Sequence, residues 1–424
     1  MLKKAVLATI FITLIFNPLC SASFTKEKYD DPNSSEKLLQ YRDFDVPLSE
    51  QQRSLADNLQ VNLITMGKGD QLYVWFGHTG IEIKDLISGQ SVMYDFGIFS
   101  FNQGFYQTFA LGNLNYEIWA TSTEMRKQIA INEKRDISIV ELNLSPEAKI
   151  AILETLNYTV EEPNNVYRYH HYYENCSTRI RDIIDKGVGG QLKAYSEAID
   201  EKSTLRKNVV RHTYASMFIN WVLNFAQNGK IDYPINRWEA MFLPSVLEDT
   251  IREFNYVDEN GSLVPLAKSY TVVNKEPVGY RSPVLSTYQS QFFKYLVFGL
   301  LAGLVSLILK FLRLNKLRGF YTFVIYLFFA AVSSILLFMM VATNHDVTYF
   351  NENILFISPY LFVLAIQALV GGFGKSKSFK KGNFIYTFLF LLLLIIKSSF
   401  SPIFAQQNYE AIVVLLPLLL ANLF

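Results

Sequence analysis

The feature that most constrains the fold of this chain is its last third, which is almost continuously apolar. Five apolar segments follow one another after residue 291: 292–312, 321–341, 354–370, 384–396 and 409–424. At roughly 1.5 Å per residue, the first is long enough to cross a hydrocarbon layer of about 30 Å. The fourth is cut short by Lys397 and the fifth contains Pro417, so a re-entrant pair is the alternative to two spans. We therefore predict that residues 281–424 form a membrane domain of about five transmembrane helices.

Basic residues are distributed unevenly over the loops between these segments. The first and third loops hold Lys310, Arg313, Lys316, Arg318, Lys375, Lys377, Lys380 and Lys381. The second loop, 343–353, has no lysine or arginine. Because cytoplasmic loops are enriched in these residues, the first and third loops are expected in the cytoplasm and the second on the opposite side.

The N-terminus predicts export to that opposite side. Residues 1–22 resemble a signal peptide, with Lys3 and Lys4 before a short apolar run and the small-residue exit Cys20–Ala22. Cleavage there would remove Cys20 and leave Cys176 as the single cysteine of an exported domain, 23–280, unable to form an internal disulfide.

Composition narrows the class of protein. The chain has 424 residues, of which 50% are hydrophobic and 15% aromatic, which is too apolar for an ordinary soluble enzyme. A net charge of +1 gives no argument for nucleic-acid binding.

Within the exported domain, the hydrophobic periodicity predicts both helices and strands. Strands are expected at 61–66, 73–84, 91–101, 115–121 and 136–144. Helices are expected at 49–59, 146–158, 211–227 and 238–253, and the connector 257–284 is expected to form a short hairpin. We predict an α+β domain in which a small antiparallel sheet carrying His78 packs against the helix that carries Cys176.

Cys176 is the candidate nucleophile. A helical pattern follows it, with Ile180, Ile183 and Ile184 on one face, so the cysteine is expected at a helix N-terminus. The free N–H groups and the helix dipole at that end favour a thiolate. A buried structural cysteine is the alternative, but the polar flanking residues and an upstream base favour reactivity.

His78 is the candidate general base, because cysteine catalysis needs an imidazole within hydrogen-bond reach. It lies in a predicted strand, 98 residues before Cys176. Asp95, on the following strand, is a candidate to orient the imidazole, and Tyr94 is the alternative.

Residues close to Cys176 are candidates for supporting roles. Asn175 either donates to a developing oxyanion or caps the helix. Arg179 either binds a phosphate or carboxylate or belongs, with Arg181, to a solvated helix face. The His170-His171 pair lacks further ligands at metal spacing, so neither a metal nor another cofactor is predicted.

The chain resembles the Lnb family of bacterial lipoprotein N-acyltransferases, which is related to the circularly permuted papain-like NlpC/P60 folds. The matching stretches are FGHTGIEI (Phe76–Ile83), MYDFGIFSF (Met93–Phe101), FALGNLNYEI (Phe109–Ile118), YRYHHYYENCSTRIRD (Tyr167–Asp182) and TNHDVTYFNENILFISP (Thr343–Pro359). The resemblance implies a permuted papain-like exported domain followed by transmembrane helices. Glu174 departs from the pattern, since an Asp is more familiar directly before Asn-Cys.

The resemblance also implies a reaction. The Cys176 thiolate would take an acyl chain from a membrane phospholipid as a thioester. The α-amine of a diacylglyceryl-cysteine lipoprotein would then accept that chain. In such a protein of the bacterial inner membrane, with its catalytic domain in the periplasm, His345, Asn351 and Asn353 would contact the lipid headgroup or the acceptor amine.

Two other functions stay open at the level of sequence. A membrane-anchored cysteine peptidase or amidase acting on cell-wall peptides would have a polar substrate groove and would not need five spans. A non-catalytic assembly protein would bury Cys176, and a cysteine-directed probe would then fail to label it.

Overall fold

The computed structural model describes residues 33–101, 104–373, 376–399 and 404–424. The predicted signal peptide, including Cys20, lies outside the described residues. Contacts within the chain define two compact units. The sheet unit comprises residues 28–205 and 234–283, and the described part of the helical unit comprises residues 206–233 and 284–424.

The sheet unit mixes helices and strands. Up to residue 204 the chain forms α1 (Ser35–Leu38), α2 (Glu50–Asp57), β1 (Leu59–Met66), β2 (His78–Asp85), β3 (Ser91–Ile98), α3 (Phe105–Ala110), β4 (Asn115–Ser122), α4 (Thr123–Asn132), β5 (Ile137–Leu142), α5 (Pro146–Val160), β6 (Val166–Arg168), α6 (Cys176–Gly187), α7 (Gln191–Glu197) and β7 (Asp200–Thr204). Residues 205–274 form α8 (Leu205–Thr213), α9 (Met217–Ala226), β8 (Pro234–Asn236), α10 (Arg237–Ala240), α11 (Pro244–Glu253), β9 (Asn255–Val257), β10 (Leu263–Pro265) and β11 (Ala267–Asn274).

Within the described residues, the main sheet has seven antiparallel strands in the order β11-β5-β1-β2-β3-β4-β6. Alternate residues of each strand face opposite sides. On one side, Ile81 and Phe96 join the buried isoleucines of α6 in the larger core. On the other side, Met93 packs with Ala130 of α4 in a smaller core. The arrangement of a sheet against the cysteine-bearing helix is as predicted.

Several predicted elements differ from the structure for local reasons. The strand expected at 73–84 begins only at His78, because Gly77 has φ +86° and the residues Leu72–Val74 form a 3-10 turn. The helix expected at 211–227 is two helices, since Ser216 caps a new start at α9. The connector 257–284 supplies not only the hairpin of β9 and β10 but also β11, an edge strand of the main sheet.

The helical unit contains most of the apolar sequence. Its remaining helices are α12 (Phe292–Phe311), α13 (Asn315–Ala342), α14 (Asn353–Phe356), α15 (Leu361–Gly371), α16 (Ser376–Ser399), α17 (Tyr409–Ile412) and α18 (Leu416–Ala421). Among the described residues, four helices are long and apolar enough to cross a membrane: Phe292–Phe311, Asn315–Ala342, Asn353–Gly371 and Lys377–Ser399. The fourth is longer than the predicted 384–396, because Lys397 lies inside it, paired with Glu352 at 2.6 Å.

The predicted fifth segment, 409–424, consists of two short helices. Glu410 accepts a hydrogen bond from the main chain of Gln291, and Asn422 accepts one from the Ser306 hydroxyl. These contacts place α17 and α18 beside α12 and in the same direction. Residues 206–233, which the sequence places in the exported domain, also pack in this unit, where Trp221 donates to the carbonyl of Ala411.

Candidate active site

Cys176 is the first residue of α6, and its neighbour fixes that start. The Asn175 side chain accepts hydrogen bonds from the N–H groups of Ser177 and Thr178, both at 2.9 Å. Its Nδ2 donates to the carbonyls of His171 and Phe242. Asn175 therefore caps the helix, which is one of the two roles that the sequence left open. The cap holds the sulfur at the positive end of the helix dipole.

His78 is the first residue of β2, and two glycines shape its surroundings. Gly77, with φ +86°, turns the chain into the strand. Gly80 is paired with Asp95 across the ladder, and a Cβ there would lie 3.2 Å from an Asp95 carboxylate oxygen. Without that Cβ, the carboxylate of Asp95 reaches diagonally to His78, where Nε2 and Oδ1 are 2.7 Å apart.

Cys176 and His78 interact directly, and each shifts the pKa of the other. Because Nε2 of His78 bonds with Asp95, Nδ1 is the nitrogen left for the sulfur. The main-chain N–H of Thr79 also acts on Cys176 and lowers the pKa of its thiol. The structure thus brings together the cysteine, the histidine and the aspartate that the sequence singles out as catalytic candidates.

The electrostatics of this pair favour a thiolate and an imidazolium. Burial lowers the pKa of His78, but the charge of Cys176 and the hydrogen bonds with Asp95 and Cys176 outweigh it, so the pKa rises from 6.5 to about 9. Burial raises the pKa of Cys176, whereas the His78 charge and the hydrogen bonds from His78 and Thr79 lower it below the usual value. Each group stabilises the charged form of the other.

Asp95 is almost fully buried, and its charge has two partners. Besides His78, it accepts a hydrogen bond of 2.8 Å from Nε of Arg126 in α4. Burial raises the pKa of Asp95, but the hydrogen bond and charge of His78 and the charge of Arg126 lower it below its usual value. Asp95 therefore stays ionised beside the imidazolium. Sequence reasoning missed Arg126, since it belongs to a helix that was not predicted.

Tyr94 does not reach His78. It lies on the other face of β3, in the larger core, and its hydroxyl donates to Oδ1 of Asn157 at 2.6 Å. The alternation of side chains along a strand sends Tyr94 and Asp95 to opposite sides, so only Asp95 can orient the imidazole.

Arg179 and Arg181 are buried, so the prediction of a solvated helix face is wrong. Nε of Arg179 donates to Glu174 at 3.0 Å, and its guanidinium lies 3.7 Å from the centre of the Tyr167 ring. Glu174 also accepts a hydrogen bond from the Ser35 hydroxyl. This pairing with Arg179 gives the glutamate before Asn-Cys a structural role.

A row of aromatic rings begins beside Cys176. Burial raises the pKa of Tyr169 well above its usual value, and the charge of the Cys176 thiolate raises it further, so the phenol stays protonated. The ring of Tyr169 lies 4.6 Å from that of Tyr116, which lies 4.9 Å from Phe99. Phe99 in turn stacks on Phe105 of α3 at 5.3 Å. The sequence signal for this row was the density of aromatic residues around positions 99–116 and 167–173.

The three candidate contact residues of the helical unit have different surroundings. Asn351 and Asn353 are buried, and both donate to the carbonyl of Phe225. Asn353 also accepts a hydrogen bond from Asn408. These bonds give both asparagines a structural role, whereas their contact with lipid or acceptor stays a prediction. His345 precedes a short 3-10 turn, and its main chain accepts from Thr348.

The His170-His171 pair was not predicted to bind metal. Nδ1 of His170 accepts hydrogen bonds from the main-chain N–H groups of Tyr172 and Tyr173, at 3.1 and 3.3 Å. That nitrogen is therefore occupied within the turn that leads to Cys176.

Comparison with known proteins supports one assignment. Residues 49–210 match the family model described as the Lnb N-terminal periplasmic domain. This range contains Cys176, His78, Asp95 and Arg126, and it is followed by the apolar helices. Comparisons with curated proteins and with solved structures gave no match. The chain therefore contains a region similar to the Lnb N-terminal periplasmic domain, of mixed α/β structure, and its described residues include four helices that could span a membrane.

Proposed function

We propose that this protein is a lipoprotein N-acyltransferase. It moves an acyl chain from a phospholipid, through a thioester on Cys176, to the α-amine of a diacylglyceryl-cysteine lipoprotein. The observation that carries the proposal is the interacting series Cys176, His78 and Asp95 in a periplasmic domain whose chain continues into apolar helices. A cysteine thiolate paired with a histidine, in a chain with apolar helices that could span a membrane, is suited to acyl transfer at a membrane surface.

In the first step, the thiolate of Cys176 attacks the carbonyl carbon of a phospholipid ester. A carbon–sulfur bond forms, and the electrons of the carbonyl move to its oxygen. His78, which carries the proton, then donates it to the departing lysophospholipid oxygen as the ester bond breaks. Asp95 holds the ring and stabilises its cationic form.

The tetrahedral oxyanion needs hydrogen-bond donors close to the sulfur. The N–H of Cys176 lies at the start of α6, where an α-helix leaves such groups unsatisfied by its own main chain. The protonated hydroxyl of Tyr169 is a second donor of suitable chemistry. Asn175 is not used for this purpose, since its side chain is engaged in the helix cap.

In the second step, the α-amine of the lipoprotein attacks the thioester. His78, now neutral, accepts a proton from the amine, and the thiolate of Cys176 leaves as the amide forms. Thioesters react readily with amines, and exclusion of water separates a transferase from a hydrolase.

The aromatic surface of the sheet unit supports a lipid substrate. Phe101 and Tyr106 are 60% and 72% exposed, and Phe109 is 41% exposed. They stand at the end of the aromatic row that begins at Tyr169. Exposed aromatic residues are typical of surfaces that enter a membrane interface. We propose that the acyl chain of the donor follows this row to Cys176.

The fold proposed for the sheet unit is the permuted papain-like one. That fold has a histidine at the start of a strand, followed in the chain by a cysteine that begins a helix packed on the same sheet. We also place the protein in the bacterial inner membrane, with loop 343–353 on the periplasmic side. The placement of the loop follows from its lack of basic residues.

Mass spectrometry of a lipoprotein N-terminus tests this function. Bacteria that lack their own N-acyltransferase would express the wild type or the Cys176→Ser variant. A third acyl chain with the wild type alone is expected. The Arg181→Lys variant, altered on the same helix away from the sulfur, serves as the matched control and should retain transfer. A diacyl N-terminus with correctly inserted wild type would contradict the proposal, and release of cell-wall peptides would then favour a peptidase.

A further inference from the structure

The helical unit contains a basic cavity at one end of its long helices, with a volume of about 280 Å³. It is formed by the end of α12, the start of α13, the end of α15 and the start of α16. The lining residues that matter for its chemistry are Lys310, Arg318, Thr322, Lys380 and Asn422.

Among the described residues, the lining of this cavity contains cationic side chains but no aspartate or glutamate side chain. Lys310, Arg318 and Lys380 contribute cationic side chains from three different helices. The sequence has no aspartate or glutamate between residues 293 and 345, or between 353 and 409. An anion is therefore the ligand that this lining attracts.

The position of Arg318 is fixed by neighbours that are neutral. Its Nε donates to the hydroxyl of Ser306 at 3.0 Å, and its Nη2 donates to the carbonyl of Ala421 at 3.0 Å. Asn422 adds a further contact at 3.3 Å. A guanidinium held by neutral acceptors keeps its full charge available for a ligand.

Thr322 provides an independent sign of a ligand. Its side chain is 1% exposed, and its hydroxyl has no hydrogen-bond partner among the described residues. An unpaired buried hydroxyl is unfavourable, so such groups normally have a partner. Because Thr322 lines the cavity, an acceptor oxygen of a bound anion would satisfy it.

The depth of the cavity indicates the kind of anion. The cavity lies where apolar helices end and the basic loops begin, which is the level of lipid headgroups. The cytoplasmic leaflet carries anionic lipids, and basic pockets between helices on that side bind their headgroups.

We propose that this cavity binds the phosphodiester of an anionic phospholipid of the cytoplasmic leaflet. The lipid is bound there as a stable component, separate from the acyl donor at Cys176. The site does not depend on the acyltransferase function, because none of its residues belongs to the sheet unit.

The test uses the full-length protein in nanodiscs of phosphatidylcholine, with or without phosphatidylglycerol. Native mass spectrometry and thermal unfolding would measure retained lipid and the rise in melting temperature. The Lys310→Gln/Lys380→Gln variant should weaken phosphatidylglycerol binding by about thirtyfold, since each such cation contributes about fivefold. The matched control Arg313→Gln/Lys381→Gln removes two charges that are near Lys310 and Lys380 in the sequence but do not line the cavity, and should keep most of the affinity.

The Thr322→Val variant keeps the test independent of folding defects. It should unfold at the same or a higher temperature in phosphatidylcholine alone, because it removes a buried unpaired hydroxyl, and should gain less from phosphatidylglycerol. Equal losses of phosphatidylglycerol affinity in the cavity variant and the control variant would overturn the proposal. So would stabilisation by inorganic phosphate equal to that by phosphatidylglycerol, since the lipid would then not be the ligand.

Discussion

Replacement of His78 by glutamine should make Cys176 a poor nucleophile without unfolding the sheet unit. Glutamine is polar and of similar length, so it can occupy the start of β2. It cannot carry the positive charge that lowers the pKa of the cysteine. Burial and the negative charge of Asp95 then raise the pKa of the thiol, and the N–H of Thr79 is the opposing influence that remains.

The size of the effect follows from the pairing. The pKa of His78 rises from 6.5 to about 9, which corresponds to about 3 kcal/mol of stabilisation of the imidazolium by its surroundings. The Cys176 thiolate provides the largest part of this stabilisation of the imidazolium. The same interaction stabilises the thiolate equally. In the variant, a thiol with a pKa of about 8.5 or higher is only about 3% ionised at pH 7. Because a thiolate of higher pKa is more nucleophilic, the net loss of rate should be about tenfold.

Alkylation by iodoacetamide measures this directly. The rate would be followed on the peptide that contains Cys176, across a range of pH, for the full-length protein in detergent. The wild type should react with an inflection below that of a free thiol, and His78→Gln with an inflection above it. His212→Gln, which alters a histidine of α8, is the matched control. An unchanged rate and inflection in His78→Gln would refute the ion-pair account.

Three further predictions concern neighbouring groups. Acyl transfer by the wild type should fall as the pH rises through about 9, because His78 then loses the proton that the leaving group needs. The Asp95→Asn variant should show this fall at lower pH. A fall at the same pH would contradict the role of the Asp95 carboxylate in raising the pKa of His78. Arg126→Ala should lower the stability of the sheet unit by about 1–3 kcal/mol, measured by thermal unfolding, because it leaves the buried Asp95 carboxylate with one partner fewer. Arg126→Lys should lose less stability, and equal losses of stability in the two variants would contradict a role of the Arg126 charge. Tyr106→Ser should slow transfer from phospholipid bilayers while the alkylation rate of Cys176 stays unchanged, and a change in alkylation instead would remove Tyr106 from lipid binding.

Much of the site was predictable because its residues carry local signals. Cys176 precedes an amphipathic helix, and His78 lies in a β-rich stretch, so their chemistry and their placement on elements could be inferred. Asp95 was selected as one of two neighbouring residues. Side chains alternate between the two faces of a strand, so the choice between Tyr94 and Asp95 follows once it is known which face of β3 lies towards α4.

What could not be predicted depends on contacts between distant parts of the chain. Arg126 reaches Asp95 from a helix whose sequence has only a weak amphipathic pattern. Arginine is usually found at the protein surface, and the burial of Arg179 is explained only by its contacts with Glu174 and Tyr167. Likewise, β11 joins β5 across more than 100 residues of sequence, and periodicity carries no information on pairing.

The central claim is that an acyl chain passes through Cys176, and the mass of the acylated protein tests it most directly. The purified full-length protein would be incubated with phospholipid in the absence of any lipoprotein acceptor. The account predicts a mass increase of one acyl chain, located on the Cys176 peptide, removed by neutral hydroxylamine and absent from Cys176→Ser. An acyl chain on another residue, or transfer to a lipoprotein by the Cys176→Ser variant, would contradict it.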